Sequence, residues 1–166
     1  MNTFDRSLLT DYSSRMLDRF LPAFPDEVLY SIENSENYFQ PDGDRLKGAW
    51  VIEWLCPAGG YDWNVRLRST REGVDEQLTI IWGDTHTHFG YWTNTKPDEE
   101  ADDCLKFLND IFQEKIWNIG FLNENVIIQV QMCEMNEIQI QMEKYQANGY
   151  KVKSWRSTYD KKVGQD

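Results

Sequence analysis

Apolar positions in this chain follow a helical period first, then a strand period, then each again. Phe4, Leu8, Leu9, Tyr12, Met16, Phe20 and Leu21 recur at helical spacing, which predicts an amphipathic helix over 4–21. Pro22 and Pro25 end it, because proline donates no backbone hydrogen bond and crowds the preceding turn. Residues 31–48 are rich in Asn, Ser, Asp and Gly and read as an irregular connection.

Period two takes over at Trp50. Trp50, Ile52 and Trp54 share one face, and Tyr61, Trp63, Val65 and Leu67 alternate with Asp62, Asn64, Arg66 and Arg68. The runs 78–82 and 85–92 follow, joined through Gly83-Asp84. Short turns between alternating runs predict a four-strand antiparallel meander. Thr95, Pro97 and the acids Asp98, Glu99 and Glu100 then mark a helix start, since carboxylates suit the positive end of a helix dipole. That helix is expected over 98–114, with Ala101, Leu105, Leu108, Ile111 and Phe112 as its buried stripe. Alternation returns in 126–132 and 137–142, and Asn148-Gly149 predicts a type I′ turn into a strand over 150–155. The polar tail 157–166 is expected to fray. This order predicts a single α+β domain over 1–166: an N-terminal helix, a meander, a central helix and a three-strand group, with largely antiparallel sheet.

Composition sharpens the class. Hydrophobic residues at 40% and seven Trp provide enough apolar surface for a folded core. The N-terminal stretch has no basic segment followed by an apolar run, and no stretch reaches the length of a membrane span. Cys56, Cys104 and Cys133 are odd in number, far apart and without Cys-x-x-Cys spacing, which suits free thiols in a reducing cytoplasm. The net charge is −11, and it is uneven. Residues 96–150 carry eleven acids and four bases, whereas 151–166 carry five bases and two acids. Such acidity disfavours nucleic acid and favours a basic protein partner.

The candidate chemistry is sparse. Asp84, His86 and His88 fall at alternate positions and share a strand face, so a metal or small ligand is the alternative reading of this stretch. The His-x-His resembles that of cupins, but no glutamate follows at Gly90, Tyr91 or Trp92. It also resembles the opening His-x-His of metal-dependent amidohydrolases, whose eight-stranded barrel needs a longer chain. A two-histidine phosphoesterase needs a second His-x-Thr, and the chain has only two histidines. No Gly-x-Ser-x-Gly elbow, phosphate loop or activated cysteine is visible, so no catalytic residue and no cofactor is implied.

Trp92 falls on the histidine side of its strand, where an aromatic among polar residues suits an interaction surface. Asp98, Asp102, Asp103 and Asp110 exceed what the helix dipole can use, because that effect fades within one turn. Together with His86 and His88, these residues are the candidate partner-binding set. With the acidic segment 97–110 and the Trp-rich meander, the chain resembles in type the small acidic immunity proteins that neutralise bacterial toxins. That resemblance implies a non-enzymatic module occluding the active surface of a basic, toxin-like protein in the cytoplasm.

Overall fold

A computed structural model of the chain describes residues 6–23, 30–34, 50–59, 63–69, 77–90 and 96–164. It has the expected α+β architecture, built as two antiparallel sheets. Helix α1 (Asp11–Phe20) starts later than its apolar pattern predicts, because the Thr10 hydroxyl accepts from the Ser13 N–H at 3.1 Å and caps it there.

Strands β1 (Tyr30–Asn34), β2 (Trp50–Trp54), β3 (Val65–Ser69), β4 (Gln77–Trp82) and β5 (Thr85–Gly90) lie side by side in chain order. The meander thus gains one strand. β1 opens the stretch read as irregular, and its ladder with β2 sets Ile32 opposite Ile52. The rest of that stretch, 35–48, lies outside the described residues. Trp50, Ile52, Trp54, Val65, Leu67, Leu78, Ile80 and Trp82 point to one face and are buried there. Against them pack Met16, Leu17 and Phe20 of α1 and Ala101, Cys104, Leu108 and Ile111 of α2 (Pro97–Phe112).

The second sheet has the order β7-β6-β8-β9, with β6 (Ile116–Asn123), β7 (Val126–Glu134), β8 (Gly149–Lys153) and β9 (Lys161–Gly164). β6 carries no alternation because Ile116 through Leu122 are all buried, as suits a central strand covered on both faces. The run 137–142 is not a strand: Ile138–Tyr145 is helix α3. Glu134 and Glu137 form a capping box ahead of it, and Ile138, Met142 and Tyr145 fall at helical spacing. They pack on Trp117, Ile119, Phe121 and Val152, leaving Ile140 exposed.

The type I′ signature sits elsewhere too. Glu124 and Asn125 take positive φ between β6 and β7, where Asn123 pairs with Val126. Asn148-Gly149 instead leads from α3 into β8, after Gln146 ends the helix at φ 53°. The tail expected to fray contains β9, which pairs with β8 from Gly149–Gly164 to Val152–Lys161.

The two sheets share a core, since Ile116 and Trp155 of the second unit belong to the cluster beneath the meander. Asn118 also reaches across, donating to the Trp82 carbonyl at 2.7 Å and to the Thr85 hydroxyl at 3.0 Å. Among the described residues no helix is long and apolar enough to cross a membrane.

Candidate functional site

Strand β5 carries both histidines on its outer face, as its alternation predicts. Arg68, Thr79 and His88 form one cross-strand row, and Arg66, Ile81 and His86 the next. The histidine rings stand edge to face with centroids 4.9 Å apart. His88 Nδ1 lies 3.1 Å from the Thr79 hydroxyl. Partial burial, then the neighbouring His86 and the Arg68 guanidinium, hold His88 below its ordinary pKa, so its ring is neutral at pH 7. Arg66 is neutralised by Glu53 at 2.7 Å. Asp84 occupies the β4–β5 turn, and among the described residues no three potential ligands, Asp84, His86 and His88 included, converge as a metal site.

The acids of α2 divide by position. Asp98, Asp102 and Asp103 are exposed, with Asp102 paired to Arg19 of α1. Asp110 is partly covered and lies 3.2 Å from Lys115. Glu100 turns inward and is 2% exposed, accepting from the Tyr12 hydroxyl at 2.5 Å and the Leu78 amide at 2.7 Å. Beyond the helix end, Glu114 accepts from the Arg156 N–H at 2.7 Å. Burial alone would raise its pKa; hydrogen bonds from Thr158, Arg156 and Ser154 outweigh that and hold it below the usual range. Glu114 is therefore a clamp between α2 and the β8–β9 connection, not part of an outer acidic face.

Between α2, β5 and the end of β7 runs a groove of about 410 Å³. Its apolar lining comes from Phe89, Phe107, Ile116 and Met132, with the Phe89 and Phe107 rings 5.6 Å apart. Around this lie Asp103 and Asp110 from α2 and Glu134 and Glu137 from the capping box before α3. Glu100 and His88 complete the polar lining, with Lys106 the sole lysine or arginine among the lining residues. The fold thus brings three of the candidate residues, Asp103, Asp110 and His88, to one place. Asp98, Asp102 and His86 do not line it, and Trp92 lies outside the described residues.

No protein-family model, curated protein or solved structure matches the chain.

The groove is suited to holding a cation against an apolar surface. Carboxylates beside low-dielectric walls focus a negative potential, and aromatic and Met side chains can cover an aliphatic stem. Nothing in it resembles an activated thiol. Cys133 is buried, and burial followed by the Glu137 charge pushes its thiol up to about 12. Burial and then Glu100 and Asp103 push the Cys104 thiol up as well.

Sequence reading missed Glu100, Glu134, Glu137, Phe107 and Met132 as site residues. Glu100 had a readable signal: it precedes Cys104 and Leu108 by one and two helical repeats, on the buried stripe. Glu134 and Glu137 had none, because their place follows from where β7 ends and α3 begins.

Proposed function

We propose that this chain is a non-enzymatic protein-binding module that engages a basic protein, acting as an immunity or inhibitor protein against a toxin-like partner. One observation carries the reading: the acidic surface of α2 continues into an apolar-lined groove with further carboxylates on its opposite side. Exposed like charges at neighbouring helical positions cost stability by themselves, and a basic partner offsets that cost. The acids also extend past the groove to Asp98 and Asp102, a span that suits a protein surface more than a small ligand.

The test is co-expression with the products of adjacent reading frames, followed by association kinetics. A toxic, basic product should be neutralised in a one-to-one complex. Reversing Asp98 and Asp102 to Lys, away from the groove, should slow association by about tenfold at low salt and by much less at high salt. Association as fast as that of the unaltered chain, or no rescue from a toxic product, would overturn the reading.

A further inference from the structure

The second sheet carries opposite charge at its two edges. β7 borders the acidic groove, and β9 closes the far edge of the order β7-β6-β8-β9. β8 and β9 together contain four lysines and no acid. Lys153 is taken by Asp160 at 2.7 Å, and Lys161 lies 5.7 Å from the centre of the Tyr150 ring. Lys151 and Lys162 face each other across the ladder, both exposed, and among the described residues neither has an ion-pair partner.

A lysine on an edge strand deters unwanted strand pairing, which accounts for Lys162. It does not account for Lys151, because β8 lies between β6 and β9. Like charges directly opposite on a ladder destabilise it. The groove bears the converse cost. Asp103, Glu134 and Glu137 gather there without an ion-pair partner among the described residues, while Asp110 pairs with Lys115.

We propose that the chain associates with itself head to tail, Lys151 and Lys162 of one copy seating in the groove of the next. Each surface relieves the like-charge cost of the other. The lysine stems cover Phe107 and Met132, and the cationic heads meet the acids of α2 and of the capping box. The net charge of −11 on each chain opposes approach. At physiological salt, however, exposed charges more than about 8 Å apart are screened, so the charges in contact decide. The two surfaces differ, so the contact is heterologous and extends past a dimer. This inference goes beyond the toxin-like partner, which would compete for the same groove.

Sedimentation equilibrium in about 0.15 M salt should show the mass of the unaltered chain rising with concentration beyond that of a dimer. Two variants block one surface each: Lys151→Gln/Lys162→Gln, and Asp103→Asn/Glu137→Gln, whose glutamine keeps the capping bond. All four sites are exposed, so both variants keep the fold. Each variant alone should associate at least tenfold more weakly. Their equimolar mixture should form a one-to-one dimer and nothing larger, since one intact groove meets one intact lysine pair. Salt at about 1 M, where the screening length falls to about 3 Å, should weaken association of the unaltered chain severalfold.

A monomer at every concentration up to about 1 mM, undiminished association of either variant alone, a mixture that stays monomeric, or association that persists at high salt would each overturn the proposal. Persistence at high salt would assign the contact to the exposed apolar residues Val126, Ile127 and Ile128 instead. The two readings separate cleanly. Asp98 and Asp102, which test the basic-partner reading, lie outside the groove, so a monomeric chain leaves that reading standing. Equally, the lack of a toxic adjacent product leaves the sedimentation result standing.

Discussion

Glu100 shows how one residue ties the site to the fold. Its carboxylate joins α2 to α1 through Tyr12 and to β4 through the Leu78 amide. Gly90 makes room for it. Its φ is +105°, and a Cβ there would sit 2.5 Å from a Glu100 oxygen. Gly90→Ala should therefore displace the carboxylate, strain the backbone and destabilise the protein by about 2–4 kcal/mol, through lost hydrogen bonds to a buried polar group. A shift in the urea midpoint checks this; an unchanged midpoint would mean that Glu100 is not seated against Gly90. His88 illustrates a different kind of residue effect. It looked like a ligand on a strand, and the tertiary setting makes it a neutral, half-buried group at the end of an acidic groove.

Elements differ in how firmly their neighbours decide them. β8 begins at Gly149, whose position matters through close approach and not through a turn. A Cβ on Gly149 would lie 2.6 Å from the Val163 carbonyl oxygen and 2.8 Å from the Gly164 Cα, both backbone atoms of β9. Gly149→Val should push β9 off β8 and cost about 2–3 kcal/mol, the range for overpacking against atoms that cannot rotate away. Faster hydrogen exchange at Lys161–Gly164 is the expected signature. Unchanged exchange there would show that β9 is not held against Gly149. α3 is the converse case. Its Ile138 and Met142 fit either period over so short a run, and contact with Trp117, Ile119 and Phe121 selects the helix.

At the scale of the whole molecule, the two sheets should unfold as one. Ile116 and Trp155 sit in the core of the meander, Asn118 bonds to its β4–β5 turn, and Glu114 holds the β8–β9 connection. Thermal unfolding should give coincident tryptophan fluorescence and far-ultraviolet dichroism. Asn118→Leu should lower stability by about 2 kcal/mol, because the loss of two bonds across the sheets outweighs the gain in apolar volume. Two separate transitions in the unaltered protein would show that the sheets are independent. Charge belongs to this scale as well. Acids concentrate on and around α2, and lysines on the β8–β9 edge, so a basic partner of the kind proposed would be steered toward the groove and not toward β9.

The chain by itself determined the inner face of the meander. Val65 and Leu67 alternate with Arg66 and Arg68, as one-sided burial demands, and Trp50, Ile52 and Trp54 keep the same period although Val51 between them is buried as well. It likewise determined the buried stripe of α2 and the outward placing of His86 and His88. Only the tertiary structure decided β6, where burial on both faces erases any period, and β1, whose polar residues are held by the ladder with β2. The groove was equally out of reach. It joins His88 and Phe89, Asp103 to Asp110, and Met132 to Glu137, positions far apart along the chain. Periodicity reports which side of an element is buried. Which elements then meet depends on long-range packing, and local pattern carries no record of that.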